Sequence, residues 1–414
     1  MKNFIFFLVL LLVAFLSIAT MAQTNFWQKI NNPYGDTVRA LSINSIGTIF
    51  IGTNNGVSRS TDNGVNWIEG DIGLYFIPRD FAFNSSGTIF CIGGSIEWVG
   101  VLRSTDDGAN WTKVYDQEPI KTIAINDSGY IFIGWGHEMG GGVERSVDNG
   151  ASWINTGLEA NSYALAINAN GTIFSGGWYS NGGCIFRSTD NGASWINTLA
   201  LSYYNIVNKL EISPTGHIFA VTSYNIVYRS TDNGEQWTQM GGLPTSWITT
   251  LAINTSGYIF AGTYGEGVFR STDDGVNWTA VNTGLTSDSV ASIAINPNGI
   301  IFAITTDGLF RSVQSTTSVR ELSADTPISF SLNQNYPNPF NPTTTIQFHI
   351  SKSSFVNLKV YDFLGNEVVT LVNEEKSIGS YEVEYDATGL SSGIYFYKLQ
   401  AGSFVETKKM ILLK

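Results

Sequence analysis

Residues 187–195 read Arg187-Ser188-Thr189-Asp190-Asn191-Gly192-Ala193-Ser194-Trp195, and the chain repeats this pattern with small changes. Arg-Ser-x-Asp-(Asn/Asp)-Gly-x-x-Trp occurs six times, with serines at Ser60, Ser104, Ser146, Ser188, Ser230 and Ser271. A degenerate seventh copy ends at Arg311-Ser312, and successive serines stand 41 to 44 residues apart. A second block, (Ile/Phe)-(Asn/Ser)-x-x-Gly-x-Ile-Phe, keeps the same phase through Gly47, Gly87, Gly129, Gly171, Gly216, Gly257 and Gly299. Two markers sharing one period identify a repeat architecture. Each unit reads as four strands. Strand A ends near Ile-Asn, Asn-x-x-Gly turns into strand B at Ile-Phe, strand C ends in Arg-Ser, and strand D opens at the Trp. A four-stranded unit of about 40 residues fits a propeller blade, whose two faces are buried only by radial stacking on neighbours.

The seventh unit lacks the Asp turn and the Trp strand. Asn25-Phe26-Trp27-Gln28-Lys29-Ile30 resembles an orphan strand D and stands before the first strand A. The expectation is an all-β chain: a seven-bladed propeller over 23–315 closed by that N-terminal strand, then a small Ig-like β-sandwich. Small residues recur on strand A (Ser42, Ala82, Ala124, Ala166, Ala252, Ala294), and Glu211 breaks the series.

The six blocks resemble the Asp-box, or BNR, repeat of sialidases, sortilin-type receptors and xyloglucan-degrading propellers. The resemblance implies that Asp62, Asp106, Asp148, Asp190, Asp232 and Asp273 are structural turn residues, on the face away from any ligand. Sialidases clamp a carboxylate with three arginines. Here seven of the arginines precede the repeat Ser, leaving Arg39 and Arg79 free in the propeller, with Lys121 in the matching third place. A full arginine triad is absent.

Composition agrees with short strands and many turns: 43 Gly, 25 Phe, 18 Tyr and 11 Trp, with 14% charged residues. A net charge of −12 argues against nucleic acid as partner. Two cysteines, Cys91 and Cys184, fall in blades that do not touch and are expected as buried free thiols. Three His without a Cys/His cluster give no metal signature, so neither metal nor cofactor is expected. Met1-Lys2, the apolar run Phe4–Ile18 and Ala19-Thr20-Met21-Ala22 read as a secretory signal over 1–22. No other segment is long and apolar enough to span a membrane.

After a polar linker at 316–328, residues 329–414 carry Tyr336-Pro337-Asn338-Pro339-Phe340-Asn341-Pro342, Val360-Tyr361-Asp362-Phe363-Leu364-Gly365-Asn366-Glu367-Val368, Gly389-Leu390-Ser391-Ser392-Gly393-Ile394-Tyr395 and a basic last strand. In this order the motifs resemble the C-terminal sorting domain of type IX secretion substrates. The resemblance implies export by a Gram-negative cell to its surface or the medium, with the secretion machinery as a partner.

The B–C and D–A loops share one rim of a propeller, and the aromatic residues outside the repeat gather there. They are Trp98, Trp135, Trp178, Tyr179, Tyr203, Tyr204, Tyr224, Trp247 and Tyr264, with His137, Glu138, Arg39, Arg79 and Lys121 beside them. Flat aromatic faces suit sugar rings or peptide side chains. The expected function is non-catalytic binding of a glycan or protein ligand through this rim. The alternative is a glycoside hydrolase using two of the rim carboxylates Asp36, Asp71, Asp80, Glu97, Glu138, Glu159 and Glu266.

Overall fold

A computed structural model describes residues 25–32, 37–70, 76–94, 99–137, 140–180, 182–241, 243, 247–313, 319–321, 329–376, 378–387 and 390–413. The export segment expected at 1–22, the candidates Trp98 and Glu138, and the carboxylates Asp36, Asp71 and Glu97 lie outside these residues, as does most of the expected linker. Among the described residues there is no helix, and 27–313 form seven four-stranded antiparallel sheets. Their inner strands are Val38–Ile43, Ile77–Phe83, Ile120–Ile125, Asn161–Ile167, Val207–Ile212, Trp247–Ile253 and Val290–Ile295. These define blades 1 to 7. Each inner strand touches the next, and that of blade 7 touches that of blade 1, so the ring closes.

The closure follows from what each sheet buries. Strand B places Phe50, Phe90, Phe132, Phe174, Phe219, Phe260 and Phe302 in full burial, six of them opposite Ser or Ala of strand A and Phe219 opposite Glu211. The apolar clusters lie between neighbouring sheets rather than within one, as the pair Phe50 and Phe81 of blades 1 and 2 shows. Blade 7 takes its outer strand from the N-terminus. Trp27–Ile30 pairs with Gly308–Ser312, and Trp27 is 1% exposed, with its indole Nε1 donating to Val281 O at 2.6 Å. That burial and pairing are what hold the chain's two propeller ends together.

The C-terminal region forms two further four-stranded sheets packed over one core, which includes Phe348, Leu358, Tyr385 and Tyr397. One difference from the sequence expectation lies in the linker. Val319–Glu321 forms a strand that pairs with Gly379–Asp386, because the passing extended chain satisfies backbone groups that an edge strand otherwise leaves open. Cys91 and Cys184 are buried free thiols, and burial pushes the Cys184 thiol up to about 12.

Candidate functional site

The two edges of the propeller sheets carry different chemistry. At the Asp-turn edge, Ser60 Oγ accepts from Gly64 N at 2.8 Å and donates to Asp62 Oδ1 at 2.8 Å. Asp62 Oδ1 and Oδ2 then accept from Asn66 N and Nδ2 at 2.8 and 2.7 Å. The turn needs two successive left-handed residues, Asn63 at φ 59° and Gly64 at φ 80°, which explains the Asn/Asp-Gly pair. All six turns share the Ser hydroxyl bonds and the i+4 amide, and five add the i+4 side chain; in the remaining one, Asp232 Oδ1 accepts from Gln236 N at 2.9 Å. The side-chain hydrogen bonds from Asn110, Ser152 and Ser194 hold Asp106, Asp148 and Asp190 down to about 2.

The repeat arginine, which spacing alone leaves without a task, clasps the next blade. Arg103, Arg145 and Arg187 donate to Asn149 O, Asn191 O and Asn233 O at 2.8, 2.6 and 2.9 Å. Arg311 donates to Asn63 O at 2.9 Å across the closure of the ring, and Asn296 Nδ2 reaches Asn63 Oδ1 at 2.8 Å. In blade 5, Arg229 and His217 both meet Asp274 Oδ2 at 2.8 Å. These conspicuous polar groups are therefore occupied by one another.

At the opposite edge, D–A loops hydrogen-bond to B–C turns, as Gly265 N and Gly267 N do to Asp288 O. Here the candidate aromatics divide into two groups. On blades 5 and 6 they are exposed and stand on loops that hydrogen-bond to one another. Tyr203 and Tyr204 meet edge to face at 4.0 Å, and Ser223 Oγ donates to Tyr204 O beside Tyr224. Asn225 Oδ1 accepts from Ile248 N next to Trp247, and Trp247 is the cross-strand partner of Tyr264. Their exposure runs from 52% at Tyr203 to 64% at Trp247 and Tyr264.

On blades 3 and 4 the expectation of presented indoles fails. Trp135 and Trp178 are half-buried, and each Nε1 is enclosed without a protein partner. Glycine makes this possible: a Cβ on Gly142, the cross-strand partner of Trp135, would meet its ring at 3.2 Å and Leu158 O at 2.9 Å. The indole lies down on its own hairpin. His137 sits 5.6 Å from the Trp135 ring and 3.7 Å from Glu118, while Tyr179 remains exposed against Phe186.

Every inner strand carries a register irregularity near the rim. The residues it leaves unpaired are Arg39, Arg79, Lys121, Tyr163, Asn208, Thr249 and Ala291. A bulge of this kind re-aims one side chain per blade. The three cations stand exposed on consecutive blades, and Arg39 Nε donates to Asn54 Oδ1 at 3.3 Å.

Immediately inside the bulge, Asp80 of blade 2 and Lys209 of blade 5 stand three steps apart round the ring of seven, with Glu211 one pleat deeper. Asp80 Oδ1 accepts from Phe81 N at 2.8 Å and from Ser42 Oγ at 3.1 Å, and burial still raises its carboxyl. Burial pushes Glu211 up to about 7, with Lys209 opposing and Asp80 adding to the rise. Sequence reading met Glu211 only as a break in the small-residue series. That departure was the available signal. Glu159 and Glu266 stay at the rim, and no metal-binding group of three or more His, Cys, Asp or Glu occurs among the described residues.

Residues 334–413 match the family model described as a secretion system C-terminal sorting domain. No curated protein matches the chain. Among solved structures it is similar to YCF48 bound to a D1 peptide, at 17% identity and TM-score 0.57, over 70% of this chain and 98% of that one. Virginiamycin B lyase from Staphylococcus aureus aligns at 13% identity and TM-score 0.58, over 69% of this chain and 98% of the lyase. The extracellular domain of a hybrid two component system from B. thetaiotaomicron aligns at 14% identity and TM-score 0.53, over 92% of this chain and 57% of its own length. At such identities the likeness concerns the fold, a β-propeller. The sorting domain indicates export through the type IX secretion system to the cell surface or beyond.

Proposed function

We propose that the exported propeller binds a glycan, with a protein ligand as the competing choice, through the exposed aromatic residues of blades 5 and 6, without catalysis. The carrying observation is that Tyr203, Tyr204, Tyr224, Trp247 and Tyr264 are more than half exposed and stand on loops that hydrogen-bond to one another. Large aromatic surface left in water is costly, and flat rings stack well on sugar faces. Asn208 and Ser223 lie on the same blades and supply neutral hydrogen-bonding groups for hydroxyls. Arg39, Arg79 and Lys121, the bulged residues of blades 1 to 3, would extend the surface to ligands with anionic substituents. Screening the mature protein on a glycan array tests the reading. Binding that disappears in the Trp247→Ala/Tyr264→Ala double variant supports it, and unchanged binding in that variant refutes it.

A second reading, a glycoside hydrolase, draws on Asp80 and Glu211. A carboxyl raised to about 7 is poised to donate a proton at neutral pH, and Asp80, whose own carboxyl burial also raises, lies within its electrostatic reach. Its test is hydrolysis of each glycan that binds, with loss of turnover in Glu211→Gln and in Asp80→Asn. Binding without turnover removes it.

A further inference from the structure

The turn between the strands Ser354–Tyr361 and Glu367–Lys376 of the sorting domain shares the aspartate grip of the propeller's Asp turns, with its left-handed glycine one residue later. Asp362 Oδ1 accepts from Leu364 N and Asn366 N at 2.8 and 2.9 Å, and Asp362 Oδ2 accepts from Asn366 Nδ2 at 2.9 Å. Gly365 supplies the left-handed residue at φ 86°. Asp62 grips Asn66 in the same way, four residues on.

What the locked turn displays is different. Between Asp and the i+4 residue the six propeller turns carry Asn or Asp, then Gly, then Val, Ala or Glu. The sorting-domain turn carries Phe363 and Leu364, exposed to 73% and 71%. The turn geometry requires neither large side chain, since Asn84-Ser85-Ser86-Gly87-Thr88 forms the matching turn without one: Asn84 Oδ1 accepts from Ser86 N and Thr88 N at 3.1 and 2.8 Å, with Gly87 left-handed at φ 83°. Neither stabilises the fold by burial, because neither is buried. By register, Tyr361 pairs with Phe396 and Gly393 with Leu412, which brings Ile394 and Leu413 to the same end of the sheet. These two are exposed to 45% and 53%. Four apolar side chains thus stand in water at one end of a small domain, two of them on a preorganised tip, which is how a hot spot for a partner is built.

We propose that the Phe363-Leu364 tip is a recognition element that inserts into an apolar pocket of the type IX secretion machinery, with Asp362 as its positioning residue. The machinery is the occupant because the family match assigns residues 334–413 to sorting, and the tip lies within them.

The test expresses the full chain in a host with a working type IX system and measures its distribution between periplasm and surface or medium. Phe363→Ser/Leu364→Ser is expected to lower exported protein at least tenfold and to accumulate in the periplasm, with an unchanged unfolding midpoint. Phe363→Leu/Leu364→Phe, which keeps the apolar tip, is expected to restore export. Normal export of the serine variant overturns the proposal. So does a lowered midpoint in that variant, because it would assign these side chains a packing role. A dimer of the purified chain that dissociates in the serine variant overturns it as well, since the occupant would then be a second copy.

Discussion

The Asp-turn edge and the rim edge of the propeller are opposite ends of the same strands, yet they spend their polar groups differently. At the first edge Ser, Asp, Asn and Arg satisfy one another within a turn and across to the next blade, so the sequence repeats because the geometry repeats. At the second edge the bulged residue changes from Arg39 to Ala291 around the ring, and the aromatic residues crowd onto blades 5 and 6. The lesson is that a motif's frequency here measures structural constraint. Ligand-facing chemistry is to be sought where the repeat is broken.

Truncating Trp27 is the most severe way to stress this comparison, because the closing strand belongs to neither edge's repeat and still completes blade 7. Trp27→Ala removes a fully buried indole and its hydrogen bond to Val281, and is expected to lower stability by about 3–5 kcal/mol. Urea unfolding of the purified protein measures it. A loss below about 1 kcal/mol would mean that the ring stays closed without its N-terminal strand.

Ser230→Ala probes the Asp-turn edge itself. It strips the buried Gly234 N–H of its 2.9 Å acceptor and Asp232 of a donor, at an expected cost of about 2 kcal/mol. The same edge responds to acid. Asp106, Asp148 and Asp190 are held down to about 2, so the stability they contribute is present above about pH 4, their unfolded range, and is lost as pH falls toward 2. A melting midpoint that does not fall between pH 4 and 2 would contradict the network.

Just inside the rim the sign reverses. Glu211 is raised to about 7, so the folded state binds a proton that the unfolded chain has already released. Stability therefore falls as pH climbs from about 4.5 to about 7. Glu211→Gln is expected to gain about 1–2 kcal/mol at pH 8 and almost nothing at pH 4.5. Equal effects at both pH values would show that the carboxyl is solvated.

How far the sequence carried this structure depends on the distance over which each feature is determined. Strands and turns were legible because each is set within one 42-residue period, as Asp62 and Asn66 are, and the N-terminal closing strand because it resembles the strand D that the seventh unit lacks. The arginine clasp was half legible: Arg103 was visible as a repeat position, but its acceptor lies 46 residues on, in the next blade. Glu211 was visible as an anomaly, and its meaning came only when the closed ring brought Asp80 of a distant blade within its electrostatic reach. The half-burial of Trp135 was not legible, since an indole in a loop reads as exposed until Gly142 opposite it is seen to let it lie flat.

The smallest expected effect is the one that separates the two edges most cleanly. Trp247 and Tyr264 are a cross-strand pair, each 64% exposed. Their truncation removes little buried area, so Trp247→Ala/Tyr264→Ala is expected to change stability by less than about 0.5 kcal/mol. The same exposure makes the pair available to a ligand, where a central aromatic can account for about 2 kcal/mol or more of binding. A variant that melts like the parent and no longer binds assigns the pair to function. If instead the double variant unfolds some degrees earlier, these rings are packing against loops in solution, and the irregular edge is as structural as the repeated one.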